Sequence, residues 1–176
     1  VIAVVDLGFG DAGKGLMVDW LVRRTGARQV VRFNGGAQAG HNVVTPEGRH
    51  HRFAQFGAGS FVDGVETVLG PEVVVHPGAL LVEARALTRA GVPDPLARLH
   101  VHPDCPIVTP WHQSLNRLRE LSRGADRHGS CGVGVGEVAR ERHAAPDTVL
   151  RAAHLLGSDL RERARDTMSR LMTEAV

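Results

Sequence analysis

The sequence predicts an α/β domain: a mainly parallel sheet flanked by helices, with a P-loop-like nucleotide-binding arrangement, a β-hairpin insertion and a helical C-terminal part. Three observations carry this. Apolar runs of strand length alternate with helix-period stretches. A glycine-rich segment, Leu7 to Leu16, joins the first apolar run to the first amphipathic stretch. That segment also holds Lys14, the single lysine among 21 Lys and Arg residues.

Taken in order, Val1 to Leu7 is expected to be a buried strand, and Gly15 to Arg24 a helix with Met17, Trp20 and Leu21 among its apolar positions. Gln29 to Phe33 reads as a second strand. Val43 to Phe53 is expected to be a hairpin because Pro46-Glu47-Gly48 interrupts it. Thr67 to Leu69 and Val73 to Val75 read as short strands. Pro77 to Ala90 reads as a helix, with proline at its first position and Gly91 just past its end. Arg98 to Val101 is a further strand. Thr109-Pro110 caps a helix that runs to Gly124, and Gly129 to Gly136 reads as a loop. From Pro146 onward the chain is expected to be helical, with Ser158 capping Leu160 to Met172. A single domain over residues 1–176 accommodates all of this.

Composition narrows the function classes. Apolar content of 43% and charged content of 23% are ordinary for a globular domain. A net charge of +2, aromatics at 4% and no tyrosine argue against a nucleic-acid surface. Cys105 and Cys131 lie too far apart for a CxxC metal or redox motif. There is no signal peptide and no apolar stretch of membrane-spanning length, so a cytoplasmic location is expected.

Gly8, Gly13 and Lys14 satisfy G-x-x-x-x-G-K, in which backbone amides and an ammonium converge on phosphate. Gly15 stands where the usual loop has a magnesium-binding hydroxyl, so Asp11 is the alternative anchor for the cation. Gly8, Gly10 and Gly13 also satisfy the dinucleotide fingerprint. However, the following strand ends in Asn34 beside Arg32, which removes the ribose carboxylate of an NAD site and leaves an NADP reading. A glycine turn without a ligand is the plain alternative. A second glycine-framed loop, Asn34 to Asn42, ends in His41 and places an imidazole near whatever the first loop binds.

These two segments resemble one family. Gly10-Asp11-Ala12-Gly13-Lys14-Gly15 is similar to the G-D-E-G-K-G loop of adenylosuccinate synthetases, and Val31 to Asn42 to their V-R-x-x-G-G-H-N-A-G-H-T. Leu69 to Pro77, Cys105 to Val108, Trp111-His112, Gly129 to Gly136 and Val138-Ala139-Arg140 extend the likeness across nearly the whole chain. Family members are more than twice this length, so the chain resembles their N-terminal part or a shortened relative.

The resemblance implies a ligase that joins L-aspartate to inosine monophosphate (IMP) with GTP and Mg²⁺, as a homodimer. Asp11, Lys14 and His41 would be catalytic, with Asp11 and the Gly40 carbonyl holding the metal. Gly10, Ala12, Gly13, Gly15, Leu16, Gly40 and Asn42 would line the GTP phosphates. Gln38, Ala39, Cys131 and Arg140 would contact IMP, Arg140 from across the dimer. The departures cluster in the same pocket: Ala12 for Glu, Leu16 for Lys, Ala37-Gln38 for His-Asn, Asn42 for Thr, Cys131 for Thr and Val133 for Arg. They suggest a paralogue with a different nucleotide or amine; an NTPase and a catalytically silent binder remain the other readings. With one lysine, no T/N-K-x-D guanine motif exists here, and the aspartate-binding arginine loop has no counterpart.

Bland readings attach to three further features. His100 and His102 share a strand face without a third metal ligand. Cys131 lacks an identifiable base. The arginine-rich C-terminal stretch, balanced by Glu162, Asp166 and Glu174, reads as a solvated helix face.

Overall fold

The computed structural model describes residues 1–8 and 10–174. Helix α1 (Lys14–Thr25) is followed by strand β1 (Gln29–Gly36), the hairpin strands β2 (His41–Val44) and β3 (His50–Phe53), and strand β4 (Glu66–Val74). Helix α2 (Pro77–Arg89), strand β5 (Leu99–Val101) and helices α3 (Pro110–Ser122), α4 (Val135–Ala144) and α5 (Leu160–Thr173) complete the chain. β1, β4 and β5 form a parallel sheet in the order β1-β4-β5, while β2 and β3 form a separate antiparallel pair. The α/β class and the hairpin are therefore as expected.

The hairpin pairs His41 with Phe53, and its turn closes through Gly48, at φ 85°, and the Thr45–Arg49 backbone bond of 2.8 Å. The two short strands expected at Thr67–Leu69 and Val73–Val75 are instead one strand, β4. Its register against β1 shifts between Arg32 and Asn34, so that Gly70-Pro71 opposes Phe33. Proline is tolerated in this central strand because the bulge releases it from the ladder.

Val1 to Leu7 is not a strand. Val1, Ile2, Val5 and Leu7 are exposed, and the segment carries no ladder with β1 or any other strand among the described residues. An all-apolar strand requires cover on both faces. Val31 (57% exposed) and Phe33 (64%) show that the outer side of β1 lacks it among the described residues. Helix α1 also turns differently from the expectation. Met17 and Trp20 face solvent, while Gly15, Asp19 and Val22 are buried.

The core gathers Phe53, Phe56, Leu69, Val73, Leu80, Leu87 and Ile107 between sheet, hairpin and α2. A buried carboxylate ties these layers together. Glu83 of α2 accepts the amides of Ala54 (2.8 Å), Gln55 (2.8 Å) and Phe56 (3.3 Å), and the Arg32 guanidinium donates to the Ala54 carbonyl. The peptide leaving β3 is thus fixed by side chains where no ladder reaches it.

Helix α4 has no counterpart among the expected elements: it begins inside the glycine segment read as a loop and continues beyond Gly136. Its buried face carries Glu137 and Glu141 beside a single valine, Val138, so no apolar period marks it. Glu141 instead bonds His112 Nε2 (2.9 Å) and Arg170 (2.5 Å), joining α3, α4 and α5. Asp159, rather than Ser158, stands at the N-cap position of α5, where its carboxylate accepts from Arg163 at 2.6 Å.

Candidate functional site

The glycine segment enters α1 through a run of left-handed backbone: Gly10 at φ 89°, Asp11 at 52° and Gly13, the N-cap, at 70°. Glycine meets this at no steric cost, and aspartate is among the few side chains that tolerate it. No acidic residue lies within the first turn of α1 itself, so no side chain of that turn offsets the positive end of the helix.

Gly15 has a reason the sequence did not reveal. A Cβ at this position would lie 2.5 Å from the Cβ of His41 and 3.1 Å from its Cα. The start of α1 is therefore pressed directly on the first residue of β2, and the missing side chain is what brings Lys14 and His41 to one place. Both line a cleft of about 390 Å³, together with Asp6, Arg32, Asn34 and Ala39.

Within that cleft Lys14 Nζ donates to Asp6 Oδ2 at 2.6 Å, and the Gly8 amide donates to Asp6 Oδ1 at 2.8 Å. The Lys14 bond, and then the amide, hold the Asp6 carboxyl below its usual range. Half-buried His41 is pushed below the ordinary imidazole value by burial first, then by the nearby Arg32 and Lys14 cations, with Glu83 opposing. His41 is accordingly a neutral imidazole near pH 7, able to donate one hydrogen bond.

The other expected residues divide. Gly10, Asp11, Ala12, Gly13 and Leu16 lie in the exposed turn and helix start. Gly40 is closely packed, with the Arg52 guanidinium filling the space a side chain would need. Asn42 sits at the hairpin edge, 3.3 Å from His50 Nε2. Gln38 folds back towards Gly36, where a Cβ would also meet Val135 of α4 at 3.0 Å. The second loop thus touches the start of α4, and Gly35 lines both the first cleft and a second of about 480 Å³ beside Glu72, Arg142 and His143. Cys131 is exposed in the glycine loop before α4, and Arg140 pairs with the buried Glu137 at 2.8 Å; neither lines the Lys14 cleft.

Asp11 and the Gly40 carbonyl are hard oxygen donors of the kind Mg²⁺ accepts. Among the described residues no group of three His, Cys, Asp or Glu side chains could enclose a metal. His100 and His102 pair separately with Glu66 (3.5 Å) and Asp104 (3.8 Å). Sequence reasoning missed Asp6 and Glu83. For Asp6 the signal was one charged residue interrupting an apolar run; for Glu83 there was none.

The parallel sheet, the left-handed glycine turn and the helix opening on a lysine define the class, an α/β domain with a P-loop-like nucleotide-binding fold. A family model described as adenylosuccinate synthetase matches residues 3–175. The adenylosuccinate synthetase of Neisseria gonorrhoeae is 39% identical over 163 residues, covering 92% of this chain and 37% of the relative. Among solved structures, a fully ligated adenylosuccinate synthetase from Plasmodium falciparum superposes with a TM-score of 0.83 at 24% identity, covering 94% of this chain and 38% of that one. A cyanophage S-2L succinoaminodeoxyadenylate synthetase, bound to dGMP and to dATP as energy donor, has a TM-score of 0.59 at 24% identity, over 90% of this chain and 41% of its own. The chain belongs to the adenylosuccinate synthetase family, and it spans 37% of the length of the Neisseria relative. No helix among the described residues is long and apolar enough to cross a membrane.

Proposed function

We propose that this chain forms the phosphoryl-transfer part of a cytoplasmic, GTP-dependent C–N ligase that joins L-aspartate to the 6-position of IMP or a closely related purine nucleotide. The observation that carries the reading is the convergence of Lys14 and His41 on one cleft through the close approach at Gly15. The family's length beyond this chain would supply recognition of guanine and aspartate, and a homodimer would present Arg140 of one protomer to the IMP phosphate held by its partner.

In this mechanism Asp11 removes the N1 proton of the base. The electron pair moves to the 6-oxygen, which attacks the γ-phosphorus of GTP while GDP leaves. Lys14 and the amides at the start of α1 stabilise charge on the transferring group, and neutral His41 donates to the developing charge at the 6-oxygen. The aspartate amine then attacks C6, and the C–O bond breaks to release phosphate. Mg²⁺, held by Asp11 and the Gly40 carbonyl, would neutralise triphosphate charge.

The test is phosphate release from GTP by the polypeptide carrying this chain, with IMP and aspartate added singly and together. Release that requires both, and that falls by orders of magnitude in Asp11→Ala and His41→Ala while the fold persists, is expected. Release indifferent to purine and amine would replace the ligase with an NTPase.

A further inference from the structure

We propose that Asp6 is an internal anion that occupies the phosphate donors of the cleft until a polyphosphate displaces it. This rests on Lys14 being the phosphate-binding lysine. The Asp6 carboxylate takes two donors that a phosphate would use, the Lys14 ammonium at 2.6 Å and the Gly8 amide at 2.8 Å. Its side chain is 12% exposed and that of Lys14 33%, so the pair is shielded only in part from solvent and salt. A phosphate oxygen arriving at Lys14 meets a like charge at hydrogen-bond distance, and one of the two anions must leave.

The segment carrying Asp6 is built to leave. Among the described residues Val1 to Leu7 carries no ladder hydrogen bonds, and its apolar side chains are largely exposed, so its displacement costs no ladder bond of theirs. The contact also selects by charge. A carboxylate bonded twice is displaced readily by a polyphosphate with a cation, and poorly by a singly or doubly charged anion that must satisfy the same two donors. Asp6 therefore sets a threshold for occupancy and discriminates triphosphate from free phosphate.

The experiment is calorimetric titration with Mg²⁺ and inorganic tripolyphosphate of the wild type, Asp6→Asn and Lys14→Ala, with Asp6→Ser as a second variant should Asp6→Asn fold poorly. Because Lys14 is the only lysine in these 176 residues, its acetylation is read from its own peptide by mass mapping of the same proteins. The expected result is tripolyphosphate binding about tenfold tighter or more in Asp6→Asn, Lys14 acetylation several-fold faster in that variant, protection by tripolyphosphate, and lost binding in Lys14→Ala. Binding lost in Lys14→Ala but unchanged or weaker in both Asp6 variants, with unchanged acetylation, overturns the role of Asp6 and leaves the phosphate site standing. Lys14→Ala binding like the wild type, or no binding by any protein, overturns the phosphate site and this inference with it.

Discussion

Replacing Gly15 with alanine tests the packing that brings lysine and imidazole together. Gly→Ala gains up to about 1 kcal/mol from propensity in a helix interior and less at the second helical position, where Gly15 and Gly136 both stand. Gly136 in α4 is exposed and has nothing within 4 Å of an added Cβ, so Gly136→Ala should collect that gain. At Gly15 the added methyl falls 2.5 Å from His41 Cβ, whereas carbon–carbon contact is favourable only near 3.5–4.0 Å. About 1 Å of separation must be found between α1 and β2, against backbone rather than against a flexible tip. Overpacking of this kind costs about 1–3 kcal/mol, which cancels the propensity gain or exceeds it. The two variants should therefore differ by about 1–3 kcal/mol, or several degrees in Tm, in paired thermal and urea unfolding. A 1 Å shift of His41 relative to Lys14 should also lower turnover by about a hundredfold. Equal stability of Gly15→Ala and Gly136→Ala, with turnover intact, would refute the proposed packing role of Gly15.

Three other outcomes are expected of the same structure. Because His41 is depressed in the folded state, its contribution to stability is present above the ordinary imidazole pKa and is lost as pH falls through the folded value. His41→Asn should flatten that acid limb in urea titrations, and activity should fall over the lower part of the window as the imidazole charges. Glu83→Gln leaves one acceptor oxygen for three amides and turns an NH₂ group towards a donor; chemical denaturation should show a loss of about 2–4 kcal/mol. Arg170→Met removes a charged partner from Glu141, which burial would raise but which the bonds from His112 and Arg170 hold below its usual range; a loss of about 1–3 kcal/mol and faster proteolysis within α5 should be seen.

The sequence revealed elements whose signal is local and left obscure those defined by distant partners. The hairpin was legible because Pro46-Glu47-Gly48 breaks an apolar run, and α2 and α3 because Pro77, Pro110 and Thr109 punctuate them. Helix α4 was hidden because its buried face is acidic and satisfied by Arg119, His112 and Arg170 from α3 and α5. Val1 to Leu7 misled for the opposite reason: its composition is that of a buried strand, but burial depends on a second layer that the run itself does not encode. In the site, Lys14 and His41 stood out by rarity and glycine framing. Asp6 did not, since a carboxylate eight residues before a lysine pairs with it only once the turn between them has folded back.

The central proposal is that the enzyme carrying this cleft moves a phosphoryl group from GTP to a purine oxygen before any amine arrives. GTP carrying heavy oxygen in the β,γ-bridge, incubated with Mg²⁺, IMP and no aspartate, tests it by phosphorus NMR. Reversible transfer lets the β-phosphate of GDP rotate, so label should scramble into the β non-bridging positions, only with IMP present, and not in Lys14→Ala or His41→Asn. Label that stays in the bridge, or scrambles without IMP, would contradict the account.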